Sequence, residues 1–126
     1  MRKTLSIKNF GTAALIAAGL DLLIFAVADS KNATWDAGQP YKVSALMVLV
    51  ASTLPLLIGY FVIKFAVSKN PKWRARLSWA GFIFAIAGAP MGYIGGKNLP
   101  TGLALGSMHI VVGTIWFLST RKEVSN

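Results

Sequence analysis

Two ionisable side chains stand inside otherwise apolar stretches of this 126-residue chain: Asp21 in the first and His109 in the fourth. Ionisable groups within a bilayer are costly and mark ion paths, proton relays or substrate sites. A carboxylate can alternate between a protonated form and one bound to an ion or solute, and an imidazole changes charge near neutral pH. Asp21 lies 8 residues before Asp29, and His109 lies 8 residues after Thr101. On a helix both then sit about 12 Å below the same membrane surface. This matched depth allows an Asp21–His109 pair between the first and last spans, and buried charges are expected to be paired or neutralised. Such a pair has two possible roles. One is a proton-linked site. The other is a structural hydrogen bond between helices, contributing about 0.6 kcal/mol and up to roughly 2.

The helical neighbours of both groups are mostly small. Ala14, Ala17, Ala18 and Ala28 surround Asp21, while Gly102, Gly106 and Gly113 surround His109. Small residues let helix backbones approach closely in membranes, so both groups are expected to face the bundle interior. Other chemistry is thin. The chain has no cysteine, which removes thiol catalysis and thiolate metal sites. One His and one Asp are too few ligands for a metal centre. Ser107 stands two residues from His109, so on a helix the two side chains point apart, and a Ser–His hydrolase is not expected. No phosphate-binding loop or carboxylate pair is present. The expectation is a non-enzymatic protein with no cofactor.

The elements that must position Asp21 and His109 follow from composition. Hydrophobic residues make up 55% of the chain and charged residues 13%, against about 25% charged in soluble domains. Apolar runs cover about residues 10–28, 43–63, 77–94 and 103–118, each near the ~20 residues that cross a bilayer. They are continuously apolar and not alternating, so they read as helices, not barrel strands. The links are short and rich in turn residues, including Asn70-Pro71, Gly95-Gly96 and Pro100. Short links make successive helices antiparallel neighbours. The fold class is therefore all-α: a four-helix antiparallel transmembrane bundle, one integral membrane domain over residues 1–126.

The net charge of +9 is distributed unevenly. Arg2, Lys3, Lys8, Lys64, Lys69, Lys72, Arg74, Arg76, Arg121 and Lys122 fall on one side, 10 in all, against Lys31, Lys42 and Lys97 on the other. The positive-inside rule then places both termini in the cytoplasm. That rule accounts for the basic charge, so no nucleic-acid partner is expected. Trp73, Trp79 and Trp116 are expected as interfacial anchors on the inner side, and Trp35, Tyr41 and Tyr93 on the outer. Arg2, Lys3, the first apolar run and Ala26-Val27-Ala28 imitate a cleavable signal peptide, but the run is long for one and Asp21 interrupts it.

Gly88, Gly92 and Gly96 form two overlapping GxxxG repeats around Pro90, and Ser44, Ser52, Pro55 and Gly59 share a face of the second span. The glycines predict tight packing within the bundle or a homodimer contact. Pro55 and Pro90 each free a carbonyl and are candidate hinges of the kind seen in broken transporter helices.

The run Leu103-Ala104-Leu105-Gly106-Ser107-Met108-His109-Ile110-Val111-Val112, with its Met-His pair, resembles the last helix of small bacterial four-span membrane proteins grouped as domain of unknown function 6069. Ala87-Gly88-Ala89-Pro90 and Gly19-Leu20-Asp21-Leu22-Leu23 are similar to segments of their third and first helices, although Asn is commoner there than Asp. The resemblance implies four helices and a polar contact between the first and fourth, and carries no activity. The chain is thus expected to be a multi-pass protein of a bacterial cytoplasmic membrane. Either it moves a small solute or proton past Asp21 and His109, with a second copy completing the pathway, or it is an accessory subunit that docks a protein partner.

Overall fold

The computed structural model describes residues 6–121. Four helices account for nearly all of them: α1 (Ile7–Ser30), α2 (Ala45–Lys69), α3 (Trp73–Gly95) and α4 (Leu99–Arg121). All four are long and apolar enough to cross a membrane. They extend past the apolar runs because polar residues at a helix end still satisfy its backbone. The side chain of Ser6 accepts a hydrogen bond from the Asn9 amide and so opens α1. Ser44 does the same for α2 through Met47, which places it outside the helix face it was expected to share with Ser52. Asn70 and Pro71 stop α2, as the turn chemistry requires. Arg2, Lys3 and Lys122 lie outside the described residues.

Successive helices run antiparallel, so one end of the bundle carries the start of α1, the α2–α3 link and the end of α4. This is the termini end; the other is the loop end. α3 packs most extensively on α4, and α1 packs on both α2 and α4. α2 and α3 meet sparsely, and α1 and α3 do not touch among the described residues.

At the termini end Phe10, Ala14, Ala17, Leu56, Tyr60, Ile63 and Trp116 form one apolar core. Trp116 had been expected as an interfacial anchor. Instead it is 8% exposed, its indole wedged between Gly59 of α2 and Gly81 of α3. Both positions lack a side chain, which is the space the ring occupies. Its Nε1 donates to the Leu77 carbonyl at 3.0 Å, so the polar edge is satisfied.

Trp35 is the second departure. It too had been expected at the interface, yet it is 5% exposed and stacks on Phe25 at 4.2 Å. Its amide donates to Thr101 Oγ1 at 3.0 Å and its Nε1 to Asp29 Oδ1 at 3.1 Å. Asn98 Nδ2 donates to the Asn32 carbonyl at 2.8 Å, and the Lys97 amide to the Asp36 carbonyl at 2.8 Å. The α1–α2 link is therefore a folded cap bonded to the α3–α4 turn. Two non-glycine residues take left-handed backbone there, Asn32 at φ 67° and Trp35 at φ 58°.

Candidate intramembrane polar site

Asp21 stands nine residues before the end of α1, about 14 Å from the loop end. It is 1% exposed. Ala14, Ala17, Ala18 and Ala28 are buried on the same side of the helix, as expected for an inward face. Ser52 of α2 donates from Oγ to Asp21 Oδ2 at 2.6 Å. The other carboxylate oxygen, Oδ1, is buried and has no hydrogen-bond partner. Burying such a group without a partner is costly.

His109 occupies a different setting. Its Nδ1 bonds the Leu105 carbonyl of its own helix at 2.8 Å. A carbonyl only accepts, so Nδ1 carries a proton and donates it to Leu105. The Asp21–His109 pair that matched depth allows is not joined by a hydrogen bond. The structural bond from Asp21 runs to α2, not α4, because Ser52 shares its depth and reaches the carboxylate directly.

His109 also departs from its expected burial, since its side chain is exposed. This exposure is not on the outer arc of α4, where Leu103, Ile110 and Leu118 stand. Gly106, Gly113 and Trp116, at three, four and seven residues from His109, lie against Tyr93, Ala85 and Gly81 of α3. His109 shares their stripe, and its ring lies over Gly88, where an added Cβ would meet Cδ2 at 2.8 Å. The opening that exposes it therefore lies between helices. On α3, Leu77 packs into the termini-end core. Phe84 and Met91, one and two heptads further along the same stripe, are 82% and 76% exposed. Trp116 joins α2 to α3 at the termini end, while His109, one heptad toward the loop end, is exposed over Gly88.

The remaining sequence candidates divide clearly. Gly92 approaches the backbone of Gly106, where a Cβ would stand 2.7 Å from the Gly106 nitrogen, and Gly96 meets Gly102. These glycines join α3 to α4 inside one chain. The glycine face of α3 is thus occupied and cannot supply the homodimer contact suggested for it. Pro55 and Pro90 are exposed, and α2 and α3 run through them as unbroken helices.

Ser52 is the partner of Asp21 that the sequence named without this contact. It lies 8 residues after Ser44, the same spacing from the loop end that singled out Asp21 and His109. Among the described residues no cluster of three or more metal-ligating side chains occurs. The model of a family of unknown function, DUF6069, matches residues 3–126. No curated protein matches, and no solved structure does.

Proposed function

Since the chain belongs to DUF6069, a family of unknown function, we propose from the geometry that this small integral membrane protein is a non-enzymatic carrier that couples a proton to the movement of a small solute. Asp21 is its proton-binding group. One observation carries this reading: a fully buried carboxylate deep in the bundle with one oxygen held by Ser52 and the other left open. Such an oxygen is a place for a proton or a cationic group. The basic bias toward the termini end supports a bacterial cytoplasmic membrane with both termini inside.

A second reading is favoured by the closure of the site. Tyr60, Phe10 and Trp116 fill the bundle below the carboxylate, and Met108, Val48 and Trp35 fill it above. In that reading the protein is an accessory subunit, Asp21–Ser52 is a structural bond, and a protein partner docks on the bundle. A homodimer that completes a pathway belongs to the carrier reading and requires a surface other than the α3 glycines.

Infrared spectroscopy of protein in nanodiscs separates the two. The carrier reading expects a carboxylic acid C=O band that appears and disappears with pH and is missing from Asp21→Asn. A band that stays constant at every accessible pH would sink it. Capture of one stoichiometric partner that Asp21→Asn still binds would support the accessory subunit.

A further inference from the structure

Three aromatic rings bridge α3 and α4 near the termini end. Trp79 of α3 is 47% exposed and meets Phe117 of α4 edge-on at 4.7 Å. Phe82 lies 5.0 Å from Phe117 and 6.1 Å from Trp79. The Ser78 hydroxyl donates to Thr120 Oγ1 at the same level, and α3 and α4 share the most extensive contact in the bundle. The rings therefore form a platform on a rigid pair of helices. Arg121, at the end of α4, lays its guanidinium over Phe117 at 4.9 Å and over Trp79 at 5.9 Å. Arg76 and Lys72 stand three and seven residues before Trp79, on its side of α3 and nearer the termini end. All three cations are exposed.

The described carboxylates, Asp21, Asp29 and Asp36, lie in the loop-end half of the bundle or in the link beyond it. Among the described residues no carboxylate stands near these cations. A guanidinium stacked on a ring keeps its N–H donors at its edge, in the fork that suits a phosphate. The positive-inside rule asks for cations on one side of a membrane and not for their position around a bundle. Here a fixed guanidinium tops an apolar platform that faces the bilayer, with two further cations above it. The complement is an anion at the depth of lipid phosphates, joined to a hydrocarbon chain.

We propose that the termini-end lip of α3 and α4 binds one anionic phospholipid, whose phosphate sits against Arg121, Arg76 and Lys72 and whose acyl chain lies on Trp79, Phe82 and Phe117. A zwitterionic lipid offers the same chain and phosphate but brings an ammonium group, which the three cations repel. The site is separate from Asp21 and holds whether the protein is a carrier or an accessory subunit.

Trp79 is the reporter. Trp73→Phe removes the other exposed indole and keeps a ring under Arg76, while Trp35 and Trp116 are buried and give a constant background. This protein is placed in phosphatidylcholine vesicles with increasing phosphatidylglycerol, and either lipid in turn carries brominated acyl chains that quench indole fluorescence. Brominated phosphatidylglycerol should quench Trp79 saturably and at low mole fraction. Arg121→Gln should lower the preference for phosphatidylglycerol over phosphatidylcholine about fivefold, the effect of one cation near an anionic headgroup. Lys69→Gln removes a cation at the same end, on α2 and over Phe65, and should leave the preference unchanged.

Quenching that follows mole fraction alone, with no preference between the lipids, overturns the proposal. So does a full preference retained in Arg121→Gln. An equal loss in Lys69→Gln also overturns it, because the effect then belongs to the diffuse charge of the termini end. Should Arg121→Gln lose its helical circular dichroism, the double variant Lys72→Gln with Arg76→Gln carries the same expectation, with a loss of preference of at least about fivefold.

Discussion

α3 has two neighbours and treats them differently. Along α4 its glycines bring backbones together, with Gly92 on Gly106 and Gly96 on Gly102, and the contact runs the length of both helices. Toward α2 it offers Leu77, Phe84 and Met91, of which Leu77 alone is packed. In a bilayer there is no hydrophobic drive to close such a seam, since lipid tails solvate Phe and Met as well as another helix does. Close association needs shape, small residues or polar bonds, and the α2–α3 seam has these only around Trp116. The difference separates a rigid pair, α3 and α4, from a seam held at one end.

The comparison is broken most directly by Trp116→Ala. The indole is what joins α2 to α3, and its removal takes away the ring, its contacts with Gly59 and Gly81, and the bond to Leu77. Unfolding of the variant in denaturing detergent should show a loss of about 3 to 5 kcal/mol, the usual cost of truncating a buried aromatic. A loss much below that would mean the seam is held elsewhere. Gly92→Leu attacks the other side. A side chain there must push into the Gly106 backbone, and the variant should lose about 1 to 3 kcal/mol by the same assay, the cost of overpacking. Retained stability would show that the two helices are free to separate. The smallest effect sharpens the contrast. Phe84→Ala, on the same helix as Gly92 but facing the open seam, should change stability by no more than about 0.5 kcal/mol. A larger cost would mean that the seam is packed there.

How much of this was legible in the sequence depends on the scale of the question. The number of spans, their approximate limits and the turn at Asn70-Pro71 follow from local composition. Asp21 was identified as a buried polar group by its isolation in an apolar run, and the depth arithmetic that flagged it also applied to Ser52. The partner stayed open because depth gives height along the bundle and not direction around a helix. His109 and Ser52 stood at one level, and only packing decided which reached the carboxylate. Two of the four tryptophans, Trp35 and Trp116, departed for a related reason, while Trp73 and Trp79 are exposed as expected. Interfacial enrichment describes tryptophan in general, whereas Trp35 and Trp116 each found a hydrogen-bond acceptor and a gap lined by small residues or an aromatic face.

The amino-acid sequence by itself determined that this protein is four membrane-crossing helices in antiparallel order, because spanning length and backbone satisfaction are properties of each segment alone. It did not determine how each helix is turned about its axis, since the spans are apolar around their whole circumference and carry almost no amphipathic signal. That rotation was decided by contacts between segments: glycine against glycine, an indole between two glycines, a serine on a carboxylate. It set which oxygen of Asp21 was left open and on which side of the bundle His109 is exposed.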